Sequence, residues 1–147
     1  MLAIDESQSS EEAIREVEER FAQSDVSIRV LHVVAKFVPP AASLWDAGGS
    51  PDVARAEVVS RFRTLVDETA ERLGALGFGA EGTVKDGDPG KVIVQAAKEW
   101  GADLIVIGAP SHSRLQRMLT GDVPQYVLNH APCSVEVVHG KEPKSND

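Results

Sequence analysis

Apolar runs of strand length alternate with helix-period segments along this chain, and that alternation restricts the fold more than any other feature. The runs are Met1–Ile4, Ile28–Ala35, Ala80–Asp86, Leu104–Gly108 and Ser134–Val138. After the first, Ile14, Val17 and Phe21 share one helical face behind Ser9 and Glu12, which have capping-box spacing. Ser50-Pro51-Asp52 opens a long helix whose buried stripe is expected to be Val58, Phe62, Leu65, Thr69, Leu73 and Leu76, with Gly77 as its stop. Gly87-Asp88-Pro89 is a turn and N-cap for a third helix, with Ile93, Ala97 and Trp100 inward and Gly101 at its end. Asp122 to His130 reads as a last helix with Val123, Tyr126 and Val127 on its apolar side. Strands alternating with helices predict an α/β protein: a doubly wound, open parallel sheet of five strands with helices on both faces. Ala80–Asp86, the weakest run, is expected at an edge.

A chain of 147 residues suits one domain, read here as residues 1–139, with no internal repeat. Residues 140–147 lack an apolar anchor and are expected to form a disordered tail. The formal net charge of −8 argues against a large nucleic-acid or membrane surface. Cys133 is the one cysteine, set between Pro132 and an apolar strand, so a buried structural thiol in a reducing compartment is expected. No apolar run approaches the ~20 residues of a membrane span, and no basic-then-apolar leader is present; a cytoplasmic location is the expectation.

The stretch from Asp103 to Val138 carries the chemistry. An apolar run stops at Gly108, a loop of small and polar residues follows, and Gly121-Asp122 opens a helix. Helix N-termini present free N–H groups that attract anions, so a strand end and a helix start on one loop describe a phosphate site. In an open parallel sheet, ligands bind beyond the carboxyl ends of the strands, where strand order reverses. With the first strand central, Asp5 and Gly108 would flank that crevice. The segment from Val38 to Ser50, with Pro39-Pro40, Gly48-Gly49 and Trp45, has the composition of a mobile loop; Trp45 is either a lid or a ring folded back on the domain. His32 lies inside an apolar run and reads as a satisfied core histidine, since no other ligand type recurs at metal spacing. No Gly-x-Ser-x-Gly elbow and no Cys–His cluster appears, which leaves nucleophilic catalysis and zinc without support; the chain is expected not to be an enzyme.

Ala3-Ile4-Asp5, Leu31-His32-Val33-Val34, Gly87-Asp88-Pro89, Asp103 to Gly108, Leu115-Gln116-Arg117, Gly121 and His130-Ala131-Pro132-Cys133 together resemble the universal stress protein family over nearly the whole length. The resemblance implies an adenine-nucleotide-hydrolase-like sheet of order 3-2-1-4-5, a homodimer and a role in stress physiology. The family has ATP-binding and non-binding branches. Binders carry Gly, two residues, Gly, nine residues, Gly, then Ser or Thr; the same register here gives Gly108, Ser111, Gly121 and Asp122. In binders the counterpart of Asp5 contacts adenine, and the counterpart of Val33 holds the base through its backbone.

The phosphate half is what has changed. Glycines let a backbone approach phosphates, whereas Pro110 has no N–H to offer. A Ser in place of Asp122 would donate a hydrogen bond; an ionised Asp only accepts. Asp122 also reads as an N-cap, with Gln125 completing a capping-box pattern, and a capping carboxylate occupies the anion site from within. Arg114, Arg117 and His112 either offset its charge or lie on the surface. The expected function is therefore a non-enzymatic stress-response regulator with weak or absent ATP binding, dimeric through Ser134 to Val138. The alternative is an ATP- or AMP-binding switch, slow in hydrolysis, with Mg²⁺ bridging Asp122 to the phosphates. A phospho-acceptor receiver domain shares the layout through Asp5-Glu6, Asp86 and Ser111, but no Lys stands in or directly after the fifth strand before Lys141.

Overall fold

The computed structural model describes residues 1–36, 50–110 and 122–140. Its elements in chain order are β1 (Leu2–Ala3), α1 (Gln8–Arg20), β2 (Ser27–Val34), α2 (Pro51–Ala75), β3 (Gly79–Asp86), α3 (Pro89–Trp100), β4 (Leu104–Ala109), α4 (Val123–His130) and β5 (Ser134–His139). The sheet has five strands in the order β3-β2-β1-β4-β5. Every neighbouring pair is parallel, with Ala3 opposite both Leu31 and Ile107. The order reverses at β1, which places a crevice at the carboxyl ends of β1, β2 and β4.

Successive residues of each inner strand feed opposite layers, as strand geometry requires. Leu2, Ile4, Val30 and Val106 pack with Ile14 and Val17 of α1 and with Val66 and Leu73 of α2. Ala3, Leu31, Ile105 and Ile107 pack with Ile93 and Ala97 of α3 and with Val127 of α4. The central strands are apolar on both faces for this reason. Cys133, expected as a buried thiol, is only half-buried against the second layer, and that burial pushes its thiol pKa up.

Two further details depart from the sequence reading. The cap of α1 is Ser7, whose Oγ accepts from the Ser10 amide at 3.2 Å, so the helix starts before the Ser9–Glu12 capping box. In α2 the buried residues are confined to Val66, Thr69, Ala70 and Leu73; Val58 and Leu76 stay 41% and 56% exposed. Leu76 is the cap residue after the helix; for Val58 the cause is length. A helix of 25 residues runs about 37 Å, while a strand of eight residues covers about 26 Å. One end of α2 must overhang the sheet. Its other end closes as expected: Gly77 takes φ +95°, and the Phe78 amide bonds back to the Leu73 carbonyl at 3.2 Å.

Candidate functional site

A cleft of about 410 Å³ opens at the carboxyl ends of β1, β2 and β4. That volume is in the range of sites for small organic ligands. Asp5, Val33, Gly108 and Asp122 all line it, so four of the six residues singled out from sequence meet at one place. The other two, Ser111 and Gly121, lie outside the described residues, as do Trp45, His112, Arg114 and Arg117. A hollow of about 440 Å³ sits at the opposite pole, between Val17, Phe21, Trp100 and Asp103. It is lined by strand starts rather than strand ends, where this architecture seldom binds ligands.

Asp5 stands two residues after β1 and two before the cap of α1. Its Oδ1 accepts from the Ser7 amide at 2.8 Å and from the Ser10 hydroxyl at 2.8 Å. The Asp5 amide in turn donates to Ser10 Oγ at 2.9 Å. Partial burial alone would raise the Asp5 pKa; the hydrogen bonds from Ser7 and Ser10, with the nearby His32, outweigh it and hold the carboxyl below its ordinary value. Asp5 is therefore an ionised acceptor at neutral pH.

His32 is buried, with its Nδ1 at 2.7 Å from the Ile4 carbonyl oxygen and its ring stacked on Phe62 of α2 at 3.6 Å. The satisfied core histidine expected from sequence is what stands there, yet the residue also lines the cleft. On the apolar side of the cleft, Pro89 and Ile93 form a wall.

Gly108 has a structural reason to be glycine. A Cβ at this position would lie 2.5 Å from the carbonyl carbon and oxygen of Ser9 and 2.8 Å from the Ser10 nitrogen. The first turn of α1 rests directly on β4, and only glycine leaves room for it.

Asp122 is the N-cap of α4, accepting from the Gln125 amide at 3.3 Å. Sequence reasoning left out its neighbour Pro124, which occupies the first turn of α4 and also lines the cleft. The signal was the Val-Pro pair directly after Asp122. A helix start offers an anion its free N–H groups. Here the Gln125 group is taken by Asp122, and Pro124 has none. Pro110 on the same rim has none either.

The acidic trio of a receiver domain does not assemble. Glu6 is bound by Arg61, with Nε–Oε1 at 2.6 Å, and Asp86 pairs with Arg55. Among the described residues no three His, Cys, Asp or Glu side chains are grouped to hold a metal ion.

A parallel sheet of order 3-2-1-4-5 with a ligand-sized cleft at its switch point defines a doubly wound α/β domain of the nucleotide-hydrolase-like class. The chain belongs to the universal stress protein family, whose family model matches residues 1–139. It is 29% identical to the universal stress protein YxiE of Bacillus subtilis over 142 residues, which is 94% of this chain and 96% of that protein. With the universal stress protein Sll1388 of Synechocystis it shares 42% identity over 62 residues, 42% of this chain; the match spans only 40% of that protein's length. Its fold is similar to that of the hypothetical protein MJ0577, with a TM-score of 0.77 at 20% identity, covering 97% of this chain and 95% of the other. It is also similar to a universal stress protein family protein from Arabidopsis thaliana solved with AMP bound, with a TM-score of 0.66 at 22% identity, covering 99% and 95%. Among the described residues no helix is long and apolar enough to cross a membrane.

Proposed function

We propose that this protein is a non-enzymatic regulatory member of its family, whose cleft accepts the adenine end of a nucleotide and holds a polyphosphate poorly. The observation that carries this reading is the uneven supply of hydrogen-bonding groups in the cleft. At the base end, Asp5 takes the Ser7 amide and the Ser10 hydroxyl on Oδ1 and stays exposed at the rim, where an ionised carboxylate suits an amine such as that of adenine. At the other end, Pro110, Pro124 and the capped Gln125 amide withdraw donors, and Asp122 adds a negative charge. The AMP found in the Arabidopsis family protein supports an adenylate as the ligand class.

Calorimetric titration with adenosine, AMP and ATP, each with and without Mg²⁺, tests the proposal. The expected order of affinity is adenosine or AMP ahead of ATP. Tight ATP binding that Mg²⁺ strengthens would favour the nucleotide-switch reading instead, with Asp122 as a metal ligand.

The assembly belongs to the same proposal: a homodimer formed through β5, the end strand of the sheet among the described residues. Val135 and Val137 offer apolar cover there, and Leu128 is 49% exposed on neighbouring α4. Glu136 would bring like charges together across a two-fold axis, but Arg20 of its own chain already pairs with it. The opposite edge is guarded: β3 carries Glu81 and Lys85 in ion pairs with Arg29 and Glu99, and Arg63 donates to the Gly82 carbonyl. Sedimentation should give a dimer at micromolar protein and a monomer for Val137→Lys; a monomeric wild type would sink this interface.

A further inference from the structure

Main-chain groups of a strand alternate in direction from one residue to the next. The Leu31 carbonyl accepts from the Ile4 amide at 2.9 Å, so Leu31 and Val33 both point their main-chain groups toward β1. In an unbroken parallel ladder the next bond would run from the Val33 amide to the Ile4 carbonyl. The β1–β2 ladder stops instead at Ala3–Leu31. The Ile4 oxygen is met by His32 Nδ1 at 2.7 Å. A carbonyl oxygen can only accept, so Nδ1 carries the proton. The same peptide is held at its other end, where the Asp5 amide donates to Ser10 Oγ.

We propose that His32 is a positioning residue that ends the β1–β2 ladder at the cleft, turning the Val33 amide toward the ligand while fixing the peptide that carries Asp5. This rests on the nucleotide reading above, and extends it to α2. Phe62 holds the imidazole plane, with the two rings only 11° from parallel. The preceding residue, Arg61, grips Glu6 on the far side of Asp5. One turn of α2 thus secures the residues on both sides of the base-reading carboxylate.

The test uses nucleotide-free protein first. Val33 amide exchange and the Asp5 carboxyl titration are followed by NMR in wild type, His32→Leu and His32→Asn. In His32→Leu the Ile4 carbonyl is free to recapture the Val33 amide, so its exchange should slow, and the Asp5 titration midpoint should rise. His32→Asn should restore both, because its side-chain amide nitrogen stands near the place of Nδ1; Asn carries no charge, so rescue assigns the effect to position. Adenosine affinity should fall roughly three- to ten-fold in His32→Leu, the size of one lost hydrogen bond. Should His32→Leu not fold, Phe62→Leu reads the same signals with smaller shifts. Unchanged Val33 exchange and an unchanged Asp5 midpoint in a folded variant would overturn the assignment. Shifts in both, with no adenosine binding in any form, would uphold it and overturn the nucleotide reading.

Discussion

Asp5 and Asp122 are both exposed carboxylates on the rim of one cleft, and both stand at the start of a helix. Helix starts favour negative charge, so both suit the fold equally. They differ in what they leave for a ligand. Asp5 gathers donors from Ser7 and Ser10 and stays an ionised acceptor, at the end where, on the proposed reading, a base would bring an amine. Asp122 caps Gln125 at the end where a phosphate would need donors rather than acceptors. Toward an adenine nucleotide, as proposed, the same residue type would be complementary in one place and repulsive in the other. On the proposed reading, the two halves of a nucleotide site rest on different structural demands, and losing one would leave the sheet, the helices and the other half in place.

Gly108 sharpens the comparison with the largest expected effect. Its position matches a motif glycine of the family's ATP binders, yet a Cβ there would meet the α1 backbone. Gly108→Ala should therefore destabilise the protein by about 2–3 kcal/mol, as an overpacked site without a flexible neighbour does. Urea denaturation of nucleotide-free protein measures it. A variant with full stability and altered nucleotide binding would mean that Gly108 serves the ligand after all, and would weaken the case that the phosphate half is vestigial.

The next effect is on affinity. Asp122→Ser with Ser111→Gly should improve ATP binding about ten-fold, since removing one partly screened like charge and adding one donor is worth an order of magnitude. AMP should gain less, because fewer phosphate charges meet Asp122. Adding Pro124→Ala returns an N–H to the first turn of α4 and should give a further gain of roughly three-fold. Calorimetry of wild type and variants with both nucleotides decides it. Equal gains for AMP and ATP would place Asp122 away from the polyphosphate path.

Much of this was legible in the sequence, because apolar periodicity is a direct consequence of burial. Every strand and helix falls within a residue or two of its expected span, including the β3 edge. Asp5, Val33, Gly108 and Asp122 converge as the switch-point rule implies. What escaped was set by tertiary geometry. Ser7, Ser9 and Ser10 are all competent caps, and the choice among them follows from Asp5 binding both Ser7 and Ser10. Val58 keeps perfect helical register with the buried stripe of α2, yet it lies on the part of the helix that overhangs the sheet. Pro124 is passed over in sequence, and its place matters only because a cleft stands in front of it. His32 reads as core, and its link to the Ile4 carbonyl depends on where β1 ends.

The smallest expected effect concerns Asp5 without any ligand. Its folded-state pKa lies below its unfolded value, because the hydrogen bonds from Ser7 and Ser10 outweigh the penalty of burial. The folded protein therefore holds this proton less tightly than the unfolded chain. The resulting stability is fully present above the unfolded value, near ~3.9 for an aspartate, and is lost as pH falls through the folded one. Asp5→Asn keeps an acceptor for Ser7 and Ser10 but has no charge to titrate. Its urea midpoint should fall short of wild type at neutral pH, and the gap should close as pH drops below about 4. A gap that stays constant from neutral to acid would show that the Ser7 and Ser10 contacts do not depend on the carboxylate charge. The two rim aspartates would then be alike in the empty protein, and the contrast between them would arise only when a nucleotide enters.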